Sequence, residues 1–165
     1  MSKITKQITI NAPAEKVWDI VADFGSISKW APNVTNSYST TEANGGVGAG
    51  RHCDVVGFGA IEEEIVEWKE SRSLTYEVED VGPIKSLRNE SSVRGDGDRT
   101  VVTFTLDYQM KFGPLGALLD KLVAGRQLGK AAALGLAGLK HHVETGEPVD
   151  QKTKLPKSTL AAVTV

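Results

Sequence analysis

Apolar residues recur along this chain first with a period of two, briefly with a period of three to four, then again with a period of two, and finally at helical spacing. Lys3 to Asn11 alternates, with Ile4, Ile8 and Ile10 on one side, and predicts a strand. Asn11-Ala-Pro-Ala-Glu15 reads as a helix entry, with Asn11 as a cap, Pro13 near the first turn and Glu15 at the positive helix end. Val17, Trp18, Val21 and Ala22 follow at helical spacing, and Asp23-Phe24-Gly25 breaks the run. A short second helix is expected over Ser26 to Lys29, before Trp30-Ala31-Pro32. Six strands come next: Val34 to Thr41, Arg51 to Val56, Ala60 to Lys69, Ser73 to Val81, Lys85 to Arg94 and Thr100 to Met110. Turn residues separate them, among them Gly57-Phe58-Gly59, Gly82-Pro83 and Gly95-Asp-Gly-Asp98. The last strand is the most regular, with Val102, Phe104, Leu106, Tyr108 and Met110 on one face.

Phe112 to Thr145 is the final long helical run, opened by Gly113-Pro114 and closed by Gly146. One face can be traced through Leu118, Leu122, Gly125, Gly129, Ala132, Leu136, Leu139 and Val143. Seven strands, six of them consecutive, argue an antiparallel meander with one apolar face that needs a cover. The expected fold is therefore α+β: a seven-stranded curved antiparallel sheet wrapped around a long C-terminal helix, with two short helices after the first strand. Each glycine inside a helix costs about 1 kcal/mol relative to alanine. This helix holds Gly116, Gly125, Gly129, Gly135 and Gly138. Either its backbone packs closely on the sheet, or the small face leaves room for a cavity. Residues 1–146 form the expected domain, and 147–165, with its prolines and lysines, reads as a flexible tail.

A chain of 165 residues suits one domain with a real core. The net charge of −2, with both signs interspersed, leaves no basic footprint for nucleic acid or anionic lipid, so no nucleic-acid partner is expected. Cys53 stands alone, which excludes an internal disulfide and favours a reducing, cytoplasmic setting. No apolar run is long enough to span a bilayer, so no stable membrane insertion is expected. Gly46-Val-Gly-Ala-Gly50 lacks the Gly-Lys-Ser/Thr of a P-loop and opens no helix. His141 and His142 are adjacent on a helix and point about 100° apart, a poor start for a metal site. Neither a metal nor a cofactor is expected.

The order strand, two short helices, six strands, long helix resembles the SRPBCC superfamily, as do several segments. These are Ile10-Asn-Ala-Pro-Ala-Glu-Lys-Val-Trp18, Asp23-Phe24, Trp30-Ala-Pro-Asn-Val34, Val47-Gly-Ala-Gly-Arg51, Glu64-Ile-Val-Glu-Trp68 and Leu74-Thr-Tyr76. That superfamily includes START-type lipid-transfer domains, polyketide cyclase/dehydrase-like proteins, pollen-allergen-type proteins and plant hormone receptors. The resemblance implies a helix-grip fold with a deep cavity between sheet and helix, used to hold lipids, sterols, polyketides or other hydrophobic molecules. Some members catalyse cyclisation or dehydration there, and many only bind and carry.

Strand parity names the expected cavity lining, since side chains alternate across a strand. Phe104, Leu106 and Tyr108 share one inward face, as do Leu87 and Asn89, Leu74 and Tyr76, and Ile61, Glu63 and Ile65. Arg51, Cys53 and Val55 share the parity that the resemblance favours as inward. Phe58 in its glycine-flanked loop, with Leu118, Leu122, Gly125, Gly129 and Ala132 of the helix, completes the set. Glu63 is either a buried acid or base, or solvated with Glu62 and Glu64 inward. Arg51 pairs with Glu63, anchors a ligand carboxylate, or makes a rim salt bridge. Tyr76 and Tyr108 either donate to a ligand carbonyl or only pack, and Asn89 bonds a neighbour or a ligand. Cys53 reads as a small hydrophobe rather than a nucleophile. The loops at Phe58 and at Gly82-Pro83 are either lids or ordinary hairpins.

The expected function is binding, with possible transport, of a hydrophobic small molecule. The alternative is a polyketide cyclase/dehydrase-like enzyme in which Glu63, Arg51 or Tyr108 moves a proton. A third class is an interaction protein whose helix pairs through Val123 and Leu134. The chain is then expected as a monomer or a homodimer.

Overall fold

The computed structural model of the protein describes residues 1–119 and 123–165, so Leu122 lies outside the described residues. Seven antiparallel strands form one sheet: β1 (Ser2–Ile10), β2 (Val34–Ser39), β3 (Gly50–Val55), β4 (Gly59–Lys69), β5 (Ser73–Val81), β6 (Ile84–Asp96) and β7 (Arg99–Met110). Their order is β1-β7-β6-β5-β4-β3-β2. Six strands follow as hairpins, and β1 joins the last of them. Helix α1 (Ala14–Ala22) and a 3-10 stretch (Phe24–Lys29) fill the connection from β1 to β2. The predicted α+β helix-grip architecture is the observed one. Asn11 is not the cap of α1: Pro13 occupies that position, and the Asn11 N–H instead donates to Glu144 Oε1 at 2.7 Å.

Alternation sets the two faces of the sheet. On β7, Thr100, Val102, Phe104, Leu106 and Tyr108 are buried while the residues between them are partly open. The neighbouring β6 places Ser91 opposite Phe104 and Asn89 opposite Leu106, so polar groups share the buried face with large apolar ones.

The predicted run 112–145 is described in two segments, α2 (Gly113–Leu119) and α3 (Gly125–Thr145). Helix α3 ends at Gly146, whose left-handed φ of 76° suits glycine and lets its N–H bond the carbonyl of His142. Its buried stripe runs through Leu128, Ala132, Leu136, Leu139 and Val143, and its main strand partner is β1. Two of the helix glycines have a steric cause: a Cβ on Gly116 would stand 1.9 Å from the carbonyl oxygen of Lys111, and one on Gly138 2.1 Å from that of Trp30. Close backbone approach thus holds at these two positions, but against the connecting segments rather than the sheet.

The segment 147–165, expected as a loose tail, folds back onto the domain. Val149 is 1% exposed and donates its N–H to the carbonyl of Lys29 at 2.8 Å. A short helix α4 (Lys157–Ala161) contacts α3, and Gln7 and Thr164 exchange two backbone hydrogen bonds of 2.9 Å each. That bridge covers part of the outer edge of β1, where unpaired backbone would invite pairing with another chain. Only a few apolar residues anchor the segment, which is why its composition hides the docking. Among the described residues, no helix is long and apolar enough to cross a membrane.

Candidate functional site

A cavity of about 150 Å³ lies between the sheet and one flank of α3. A void of that size holds far more than one water, and about 150 Å³ of apolar hollow suffices for a benzene ring. Strands β3 and β4 contribute Arg51, Cys53, Val55, Ile61 and Glu63, with Phe58 from the turn between them. Tyr76, Leu87, Asn89, Phe104 and Leu106 come from β5, β6 and β7, and Ala132 from α3. The structure brings these expected residues together around one hollow.

Others lie elsewhere. Ile65 is fully buried in the core and Tyr108 is buried among neighbouring strands, and neither lines the cavity. Leu118 is 56% exposed. Gly125 and Gly129 line a separate outer groove with Lys6, Arg126 and Lys130, and a Cβ on Gly129 would meet nothing within 4 Å. The reason is where the helix lies. At 3.6 residues per turn, Gly129 sits about 60° to one side of Ala132 and Gly135 about 60° to the other. Because α3 rests on β1, the Gly129 flank looks out along β1 and the Gly135 flank looks into the hollow.

Sequence reasoning missed Phe24, Ile27 and Trp30 in and beside the 3-10 stretch and Leu128, Ala131 and Gly135 of α3, all on the cavity wall. The spacing of Leu128, Ala132, Gly135 and Leu139 fits a helical face as well as the glycine-centred one does, so this signal is present in the chain. Nothing local distinguishes the two phases.

The polar centre of the wall is built on the β3–β4 ladder, which sets Arg51 opposite Glu63. Arg51 is 3% exposed and Glu63 7%, whereas Glu62 and Glu64 face outward. The register reading with Glu63 inward is therefore the observed one. Arg51 Nε donates to Glu63 Oε2 at 2.5 Å, and Nη1 donates to the Phe24 carbonyl at 3.0 Å. The guanidinium lies between two rings, 3.9 Å from the centre of Phe24 and 4.6 Å from that of Tyr76. The Cys53 thiol donates to Glu63 Oε2 at 3.4 Å.

Burial is the largest single influence and works against the Arg51 cation, but Glu63, Tyr76 and Cys53 together outweigh it, and the net direction is upward. Arg51 thus stays charged. Burial also pushes the Cys53 thiol up to about 12, with Arg51 pulling the other way and Glu63 adding to the rise. At neutral pH Cys53 is a protonated thiol, in keeping with an inert small side chain. Burial and then the charge of Glu63 raise Tyr76 as well, so it remains a neutral phenol able to donate. Asn89 Nδ2 donates to Ser91 Oγ at 3.1 Å. Among the described residues, three buried side-chain polar atoms have no hydrogen-bond partner, each on a residue of the lining: Arg51 Nη2, Trp30 Nε1 and Asn89 Oδ1. Among the described residues no cluster of ligating side chains could hold a metal ion.

A family described as polyketide cyclase / dehydrase and lipid transport matches residues 1–144. A Thermobifida fusca protein of known solution structure is 25% identical with a TM-score of 0.70, over 90% of this chain and 97% of that one. A START superfamily protein from Mycobacterium smegmatis is 21% identical with a TM-score of 0.68, over 86% of this chain and 97% of that one. The di-domain ARO/CYC BexL from the BE-7585A biosynthetic pathway is 18% identical with a TM-score of 0.67, over 87% of this chain and 47% of that one. The last two are likenesses of fold. No curated protein matches the sequence.

Proposed function

Because the chain belongs to the polyketide cyclase/dehydrase and lipid transport family, we propose that it holds a hydrophobic small molecule in the hollow between the sheet and α3, as a binder or carrier. The observation that carries this reading is the mainly apolar cavity of about 150 Å³, interrupted by a few fixed polar groups. Small-molecule sites have that make-up. Leaving such a hollow empty forfeits packing contacts that a solid core would make. The test is native mass spectrometry of freshly purified protein, together with uptake of a neutral fluorescent hydrophobic dye. A co-purified small molecule, or saturable uptake of one dye per chain, is the expected result. A bare mass and no saturable uptake would overturn the proposal.

The second reading is an enzyme of the polyketide cyclase/dehydrase kind, and one observation favours it. Glu63 is held against Arg51 on the cavity wall, with the phenol ring of Tyr76 stacked on the guanidinium. A fixed carboxylate beside a neutral proton donor is the pairing that acid–base chemistry uses. Tyr76 takes the place that sequence parity offers to Tyr108. Under this reading Glu63→Gln retains ligand but stops turnover of a poly-keto substrate, and unchanged turnover removes Glu63 from the role.

A further inference from the structure

Buried polar groups in native proteins find partners, and those that do not need an explanation. Here the three partnerless atoms belong to residues bordering one hollow. They are also linked. Tyr76, whose ring covers Arg51, is the cross-strand partner of Asn89. Asn89 bonds Ser91, Ser91 is the cross-strand partner of Phe104, and the Phe104 ring lies 6.3 Å from that of Trp30. A hydrocarbon occupant would leave all three atoms without partners, at the full desolvation cost of each.

The guanidinium is the most constrained member. Glu63 takes Nε, the Phe24 carbonyl takes Nη1, and two rings hold the plane. Only Nη2 remains, in a fixed orientation, so no side-chain freedom is lost when it meets an acceptor. With Nε and one N–H of Nη1 engaged, the side-on two-pronged grip that arginine gives a carboxylate through Nε is closed to a ligand. The charge is also already balanced by Glu63 at 2.5 Å. A ligand carboxylate would bring a second, uncompensated negative charge beside Glu63 into a poorly solvated wall.

We propose that the occupant is an uncharged hydrophobic molecule whose carbonyl oxygen accepts from Arg51 Nη2, and that carboxylate ligands of the fatty-acid type are disfavoured. This rests on the small-molecule reading above and narrows it to a neutral, oxygenated class. Trp30 Nε1 and Asn89 Oδ1 offer a further donor and acceptor to additional polar groups on the same molecule.

The test uses three single-ring probes of similar size: acetophenone, benzoate and the hydrocarbon cumene. Binding is measured by titration with wild-type protein and with Arg51→Lys, which keeps a cation for Glu63 but removes Nη2. Wild-type protein is expected to bind acetophenone at least tenfold more tightly than benzoate. Arg51→Lys is expected to weaken acetophenone by about tenfold, the size of one hydrogen bond to a charged donor, and cumene by less than twofold. Should Arg51→Lys fail to fold, the carbonyl stretch of carbon-13-labelled acetophenone in the wild-type protein decides. It is expected below its frequency in hydrocarbon solvent. A hydrocarbon-like frequency, benzoate as the tightest ligand, or equal loss of acetophenone and cumene in Arg51→Lys would overturn this inference while leaving the binding function intact. If none of the three probes nor the neutral dye binds, the binding function itself fails.

Discussion

Arg51–Glu63 and His52–Glu62 are adjacent cross-strand pairs of the same two strands, one on each face of the sheet. Both join a basic side chain to a glutamate. On the inner face the pair is shut away from water and braced by Phe24, Tyr76 and Cys53. On the outer face His52 meets Glu62 through Nδ1 and Asp54 through Nε2, with Tyr38 stacked at 4.9 Å, and Glu62 is 66% exposed. Bulk water readily replaces a partner lost outside, whereas the buried inner pair has little access to it. One residue of register therefore separates a fixed element of the cavity wall from a solvated surface cluster.

The largest effect should come from breaking the inner pair alone. Glu63→Leu leaves the Arg51 cation buried without a counter-charge and is expected to cost about 3–5 kcal/mol, read by urea unfolding. The double variant Arg51→Met, Glu63→Leu should lose less than Glu63→Leu, because no stranded charge remains. On the outer face, Glu62→Gln should barely move the unfolding midpoint. Equal losses at Glu63 and Glu62 would erase the contrast.

Reactivity sharpens it next. Burial holds the Cys53 thiol protonated, so a disulfide reagent at pH 8 should label it only as fast as the protein opens. Fast labelling of the folded protein would place Cys53 in contact with solvent.

The same distinction of inside from outside runs along α3. Gly135→Leu should intrude on the hollow, where Phe104 lies 3.6 Å from the new Cβ, and weaken dye uptake about tenfold or more. Gly129→Leu faces the open groove and should leave uptake unchanged, while gaining about 1 kcal/mol of helix stability. Loss of uptake in Gly129→Leu would put the cavity on the other flank.

The smallest effect concerns pH. Hydrogen bonds from the His52 ring to Glu62 and then to Asp54 raise His52 above its ordinary value of 6.5. The folded protein holds this proton more tightly than the unfolded chain, so the resulting stability is fully present below about pH 6.5 and fades as pH rises through the raised value. Nuclear magnetic resonance titration should place the His52 midpoint above 6.5 in the wild type and lower it in Glu62→Gln. A midpoint that ignores Glu62 would remove the outer cluster as its cause.

Most of the site's sheet side is legible in the amino-acid order alone. Period-two alternation puts Tyr76, Asn89, Phe104 and Leu106 on the inward parity, the resemblance adds Arg51 and Cys53, alternation alone leaves Glu63 open between two registers, and all seven reach the wall. Parity does not tell that Ile65 and Tyr108, on the same faces, lie off the hollow, because it fixes which side a residue points to and not how far along the strand the hollow extends. The helix side is less legible. The stripe from Ala132 to Val143 is buried as expected, but Gly125 and Gly129, expected on the cavity side, occupy the opposite flank.

By itself, the sequence determined the strand count, the sheet-and-helix class and the parity that groups Tyr76, Asn89, Phe104 and Leu106 on the inner face. Those features depend on local periodicity and short turns, while the burial of Glu63 beside Arg51 came from the structure. Only the tertiary structure decided that α3 lies along β1, that Gly138 meets Trp30, and that the 3-10 stretch and the C-terminal segment close around the domain. Those features come from packing between residues far apart in the chain. A helix with small residues on several sides carries no local signal for which side will face the sheet.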